Sequence, residues 1–259
     1  MVKGKTTTKR SFQEKALMKS LLAITPLLLC SCWLQSTKEG KKTTPPPTIT
    51  KVEVIDTCAM EKQLTSMGLV NVQDINPTIQ VELRYADTNN FLHITLYDCL
   101  EKAFLQKEAA LKLNSAQSIL TALKPGYKLY IWDAVRPKVI QQRMWDSLKM
   151  PLDQKNRYVS NPKNHSVHNY GAAVDLTIQD SVGSLLDMGT DFDHFGPASN
   201  TNRDSFNLAN KNLNHTQLAN RRLLRKCMYR AGFRAISSEW WHFNSCSRET
   251  AKKRYQLLE

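Results

Sequence analysis

The chain has 259 residues, 41% of them hydrophobic and 23% charged, with a formal net charge of +13. Removing residues 1–31, which hold six Lys/Arg and one Glu, leaves +8, and many of those charges fall in predicted helices such as Arg221-Arg222-Leu223-Leu224-Arg225-Lys226, where a solvated face accounts for them. Charge therefore does not point to nucleic acid, and the absence of an internal repeat leaves one domain, for which the residues from position 52 onward suffice.

Lys15 and Lys19 precede the apolar run from Leu21 to Cys32, which is too short to span a membrane stably and has the length of a secretory signal. Leu29-Cys30-Ser31-Cys32 resembles a bacterial lipobox, so residues 1–31 are expected to be a lipoprotein signal peptide and Cys32 the lipidated first residue of the mature protein. Cys30 is the poorer candidate. The first seventeen residues make a long basic region, and Met18-Lys19-Ser20 is itself a compact start. Pro26 and the lack of polar periodicity argue against a buried helix here. Residues 32–51, rich in Thr, Lys and Pro and including Pro45-Pro46-Pro47, have little to bury and read as a disordered tether. The expected location is a bacterial membrane, through a lipid anchor, with the domain facing the periplasm. There the basic surface would meet anionic envelope surfaces or wall polymers, and no protein partner is expected.

In residues 52–259, strands are expected near 79–85, 128–134, 172–178 and 233–243, and helices near 101–123, 137–148 and 216–231. Ala103 to Leu123 has an amphipathic pattern that Lys124-Pro125-Gly126 ends. Asp193 to Asn214, full of Asn, Asp, Ser and Gly, reads as a loop that could cap a site. Beyond the lipobox pair four cysteines remain, Cys58, Cys99, Cys227 and Cys246. Export permits disulfides, three pairings are open, and no pair has the Cys-x-x-Cys spacing of a thiolate zinc site.

The chemistry is carried by a divided set of polar residues: Ser166-Val167-His168, then Asp175 at the head of Asp175-Leu176-Thr177, then Glu239-Trp240-Trp241-His242. Two imidazoles and one carboxylate suit a catalytic zinc, which takes three N and O ligands and keeps a fourth position open. The second carboxylate, Glu239, is left over as a general base. His168 sits on a turn-rich stretch that runs into the buried strand Ala172 to Ile178, so one ligand on a loop is followed by another on a strand. His165 is the competing ligand there and reads better as an exposed loop histidine. Residues i and i+3 of a regular strand point to opposite faces, so the segment must leave strand geometry near Trp241 if Glu239 and His242 are to converge.

These residues belong to a larger pattern: Leu83-Arg84-Tyr85-Ala86 with Asn90-Phe91, Trp132-Asp133-Ala134-Val135-Arg136-Pro137, the Ser166-x-His168-x-x-Gly171-x-Ala173-Val174-Asp175 block, Met188-Gly189-Thr190-x-Phe192-Asp193, and Gly232-Phe233 ahead of Glu239-Trp240-Trp241-His242. From about residue 69 to residue 244 the chain resembles the D-alanyl-D-alanine dipeptidases, within the D-Ala-D-Ala carboxypeptidase-like zinc peptidases. The resemblance implies an α+β fold, a small antiparallel-rich sheet packed with helices. It implies one zinc on His168, Asp175 and His242, with Glu239 moving the proton of the attacking water to the leaving amine. Arg136 would face the scissile carbonyl, and Tyr85, Ser166 and Asp193 would contact a small dipeptide, Asp193 at its ammonium. Val167, where a small polar residue is common, and Asp191, an added acid beside Asp193, depart from the pattern. The expected activity is hydrolysis of free D-Ala-D-Ala. The alternatives are a related D,D-carboxypeptidase or L,D-endopeptidase acting on attached wall peptides, or a catalytically silent lipoprotein that binds them.

Overall fold

The computed structural model describes residues 58–259. The expected signal peptide, the tether, Cys32 and the expected start of the domain at residue 52 lie outside the described residues. In chain order the elements are α1 (Ala59–Ser66), β1 (Leu69–Asn71), α2 (Val72–Ile75), β2 (Gln80–Val81), β3 (Phe104–Gln106), α3 (Lys107–Leu123), β4 (Lys128–Asp133), α4 (Lys138–Ser147), α5 (Leu152–Lys155), β5 (Ala173–Gln179), α6 (Asp204–Ala209), α7 (His215–Arg230), β6 (Arg234–Ala235), β7 (His242–Asn244) and α8 (Arg248–Arg254). The main sheet runs β2-β4-β5-β7-β6. Its β2–β4 pair is parallel and every other pair antiparallel, so the α+β expectation holds. β1 and β3 form a separate antiparallel pair.

Helix α3 covers one side of this sheet through Ala109, Ala110, Leu113, Ala116 and Leu120, a stripe at helical spacing. Gln117 in the same stripe is buried because its amide is fully used: Oε1 accepts from the Leu129 N–H at 2.7 Å and Nε2 donates to the Tyr127 carbonyl at 3.0 Å. That clamp fixes α3 against the start of β4. Helix α7 packs on α3 and buries Leu218, Leu224, Cys227 and Met228. Each such leucine contributes about 1.5–3 kcal/mol of burial.

Three boundaries differ from expectation. The helix expected from residue 101 begins at Lys107, because Phe104–Gln106 pairs with Leu69–Asn71 as β3. The strand expected at 79–85 keeps only Gln80–Val81 and gives way to a 3-10 turn at Arg84–Ala86. The strand expected at 233–243 is two short strands, Arg234–Ala235 and His242–Asn244, separated by irregular chain. The loop expected at 193–214 holds a 3-10 turn, Pro197–Ser199, and α6. Cys58 pairs with Cys99, and Cys227 and Cys246 are free.

One irregularity bears on the site. Ile131 of β4 pairs with Leu176 of β5, and Asp133 pairs with Asp175, so two residues on β4 are matched by a step of one on β5. This bulge at Trp132 moves Asp133 off the face it would share with Leu129 and Ile131 and sets it opposite Asp175. Without the extra residue the two carboxylates would lie on different faces.

Candidate active site

The Ser166 to Gly171 segment is built by local hydrogen bonding before any metal is considered. Ser166 Oγ accepts from the His168 N–H at 3.3 Å, and Asn169 Oδ1 accepts from the Ser166 N–H at 2.6 Å. Those reciprocal bonds start the 3-10 turn Val167–Tyr170, which Gly171 ends at φ +62°. A side chain there would be strained and its Cβ would lie 2.8 Å from Leu69 Cδ2, so glycine is strongly favoured. The Arg136 N–H donates to the His168 carbonyl at 3.1 Å, and Asn169 Nδ2 donates to the Arg136 carbonyl at 2.7 Å. The His168 turn and the Arg136 segment are therefore one unit.

Asp175 and His242 are direct cross-strand partners in β5 and β7, which brings their side chains together on one face. His242 Nδ1 lies 2.9 Å from Asp175 Oδ1, His168 Nε2 lies 3.1 Å from His242 Nδ1, and His168 Nε2 lies 3.4 Å from Asp175 Oδ1. All three residues are buried, and among the described residues they are the one group of three or more His, Cys, Asp or Glu placed to hold a metal ion. His168 Nδ1 donates to the Ala134 carbonyl at 2.6 Å, and His242 Nε2 donates to Asn244 Oδ1 at 3.0 Å. Each imidazole thus spends its N–H on an outer partner and turns a lone pair inward. Two inward lone pairs and a carboxylate oxygen, with no donor among them, repel one another unless a cation sits between. Bonds of about 2.0–2.2 Å to a tetrahedral zinc put its ligand atoms about 3.3 Å apart. The three residues fit that ion.

Burial alone would raise the Asp175 carboxyl, but the His168 and His242 rings outweigh it and hold Asp175 well below the usual carboxylate range. For His242, burial lowers the ring, but with no cation between them a protonated Nδ1 would gain the hydrogen bond and charge of Asp175, so the ring lies above its ordinary value. Glu239 Oε2 stands 3.9 Å from His242 Nδ1. Its carboxyl is 29% exposed at the cleft, and burial among the cleft walls pushes it up, with Asp175 adding to the rise. The expected convergence of Glu239 and His242 is met because strand β7 begins only at His242. Trp240 and Trp241, both fully buried, anchor the irregular chain before it. Trp240 Nε1 donates to Thr190 Oγ1 at 2.7 Å.

Arg136 donates through Nε at 2.9 Å and Nη2 at 2.5 Å to Asp133 Oδ2, and Nη2 lies 3.6 Å from Asp175 Oδ2. Burial works against the charge on Arg136, and Asp133 more than restores it, so the guanidinium stays protonated. Asp133 in turn accepts from Tyr97 Oη at 2.6 Å. Tyr85 donates to Asp193 Oδ2 at 2.8 Å, and its ring lies under the Arg136 guanidinium, 5.2 Å away. Tyr85, Arg136, Ser166, His168, Asp175, Asp193, Glu239 and His242 all line one cavity of about 110 Å³. His165 is outside it, its Nδ1 3.1 Å from Tyr170 Oη.

Sequence alone assigns no role to Asp133, Tyr97, Asn244 or Arg248. Asn244 is two residues beyond His242 and so shares its face, a spacing that could have marked it as the outer partner. Asp133 was visible only as part of the Trp132–Pro137 block, since the bulge that aims it is a tertiary feature.

The chain matches the family described as D-ala-D-ala dipeptidase over residues 65–257. It is 36% identical over 175 residues to the D-alanyl-D-alanine dipeptidase of Escherichia coli K12, covering 68% of this chain and 83% of that one. It is 28% identical over 192 residues to the D-alanyl-D-alanine dipeptidase of Enterococcus faecalis V583, covering 68% and 90%. Among solved structures, VanYB in complex with D-alanine-D-alanine is similar at a TM-score of 0.35 and 18% identity, over 58% of this chain and 76% of that one. With a family match across most of its length and a curated relative above one-third identity, the chain belongs to the D-Ala-D-Ala dipeptidase family of metallopeptidases.

Proposed function

We propose that this cleft hydrolyses free D-Ala-D-Ala, with zinc held by His168, Asp175 and His242. The observation that carries the reading is the triangle of inward-facing donor atoms, none more than 3.4 Å from the next, with the Glu239 carboxylate 3.9 Å from one corner. The chemistry that zinc supplies when bound there is Lewis acidity, which makes water nucleophilic near neutral pH and polarises a carbonyl. Glu239 takes the proton of the attacking water and delivers it to the leaving amine. Arg136 has Nε and Nη2 engaged by Asp133, which leaves Nη1 to meet the negative charge that develops on the carbonyl oxygen. Asp193, held by Tyr85, pairs with the substrate ammonium.

The cavity volume supports a small substrate. On a scale where one water needs about 10–15 Å³, about 110 Å³ holds roughly seven to eleven water-sized groups. That suits a dipeptide better than a peptide still attached to a wall polymer. The test compares free with acyl-blocked D-Ala-D-Ala in the presence of zinc: cleavage of the free dipeptide is expected, and cleavage of the blocked peptide alone would sink the reading. Replacing Glu239 with Ala should lower kcat by about 10²–10⁴-fold while zinc content stays at one per chain. Retained turnover would remove Glu239 from the role of base.

The same reading puts the enzyme outside the cytoplasm, lipidated at Cys32 and acting on fragments of peptidoglycan turnover. The lipobox-like Leu29-Cys30-Ser31-Cys32 supports it, as does the Cys58–Cys99 bridge, since disulfides persist in oxidising compartments. Metabolic labelling with a palmitate analogue tests it. Label on the native chain that is lost in Cys32→Ala is expected, and an unlabelled chain would end the proposal.

A further inference from the structure

We propose that Arg248, on the first turn of α8, reads the terminal carboxylate of the substrate. This assignment rests on the dipeptidase reading of the cleft and adds its missing cation. A zwitterionic dipeptide brings one ammonium and one carboxylate. The cleft lining offers the acids Asp175, Asp193 and Glu239, but apart from the two metal-site imidazoles it has just two basic side chains, Arg136 and Arg248. Arg136 is bound twice by Asp133 and lies 3.6 Å from Asp175, and its remaining Nη1 is given to the scissile carbonyl oxygen, so it is already committed when the terminal carboxylate needs a cation. Arg248 has no carboxylate partner among the described residues and lines the same cavity.

Arg248 is itself exposed, and the helix that carries it is fixed by packing. Ala251, one turn along α8, is fully buried with Val167, Tyr170, Ala172 and Ala173, the apolar backing of the His168 turn. Ser247 caps α8, its Oγ accepting from the Thr250 N–H at 3.1 Å. Ser166 belongs to this wall. Its Oγ accepts from the His168 N–H, so its own hydrogen is free to donate, and it lines the same cavity as Arg248. Tyr85 and Asp193 belong to a different wall, built by the loops that follow β2 and β5. A dipeptide bound at the His168–Asp175–His242 group would find an acid, a cation and a hydroxyl within one cavity lining.

The test measures binding without turnover. Zinc-loaded full-length protein carrying Glu239→Ala is titrated calorimetrically with D-Ala-D-Ala and with its C-terminal amide, with and without Arg248→Ala. Loss of one charge-assisted contact is expected to raise Kd for the free dipeptide about 10- to 100-fold and leave Kd for the amide unchanged. Arg248→Lys should recover part of the loss. An unchanged Kd for the dipeptide, or equal weakening of both ligands, would overturn the assignment. If the native enzyme binds D-Ala-D-Ala but does not cleave it, the dipeptidase reading fails while this titration still decides Arg248; if it does not bind the dipeptide, both fail.

Discussion

Asp193 is constrained in both backbone and side chain. Its φ is +57°, in the left-handed region that non-glycine residues rarely occupy, and such strain persists where surrounding contacts over-determine the conformation. Here the Tyr85 hydroxyl fixes the carboxylate at 2.8 Å. Burial pushes the Asp193 carboxyl well above the usual range and the Asp175 and Glu239 charges push the same way, against the Tyr85 hydrogen bond and Arg136. A raised carboxyl favours its neutral form in the folded protein. Its contribution to stability is therefore present below the ordinary aspartate range and is lost as pH rises through the raised value. Substrate binding has the opposite sign, because an ammonium needs the ionised acid. Affinity for D-Ala-D-Ala should fall on acidification through that raised value, approaching tenfold per pH unit, while Asp193→Asn binds more weakly at neutral pH and has lost this limb. Titrations of both proteins across the acid range check this, and an unchanged pH profile in the variant would refute the pairing.

Elements decide how such residues are held, and α7 does so through one buried cation. Arg221, 2% exposed, donates through Nε to the Met188 carbonyl at 2.5 Å and through Nη1 to the Ala198 carbonyl at 2.7 Å, and it stacks on Trp240 with 5.4 Å to the ring centre. Burial pushes it down to about 10, so it stays charged at neutral pH. It ties α7 to both ends of the loop that carries Asp193 and to the tryptophan beside Glu239. Arg221→Met should cost about 2–4 kcal/mol in denaturant unfolding, since two buried carbonyls lose charge-assisted partners; a loss under about 0.5 kcal/mol would show that the loop does not depend on it. Nothing in the sequence distinguishes Arg221 from its neighbours Arg222 and Arg225 except helical phase. By contrast, the Ser166 to Thr177 block was legible as turn and then strand because its signals are local: a capping serine, a terminating glycine and a buried apolar run. Glu239 and His242 were legible as chemistry, but their convergence depended on a strand that starts late. Phe104-Leu105 could not be separated from the helix that follows, since a short apolar run fits either period until β1 pairs with it. The same limit hid the bulge at Trp132, which exists only once strands are paired.

For the whole molecule the question is what closes the domain around a sheet whose outer strands, β2 and β6, have two residues each. Short edge strands contribute few hydrogen bonds, so long-range ties matter more. The Cys58–Cys99 bridge joins the residue before α1 to the irregular chain before β3, across a separation of 41 residues. Between its ends lie α1, β1, α2 and β2, and also Tyr85, which the cleft uses. Closing a loop of that length removes unfolded-state entropy worth about 4 kcal/mol at 25 °C as an upper figure, and native distortion lowers what is realised. Replacing both cysteines by serine should therefore lower unfolding free energy by about 2–4 kcal/mol, with the same loss when the native protein is unfolded under strong reductant. Because the bridge acts on the unfolded chain and lies outside the cleft lining, zinc content and the Kd for D-Ala-D-Ala under native conditions should not move. Equal stability of the double variant and the oxidised protein would mean that the bridge does not form in solution, and a changed Kd would mean that it shapes the Tyr85 wall directly.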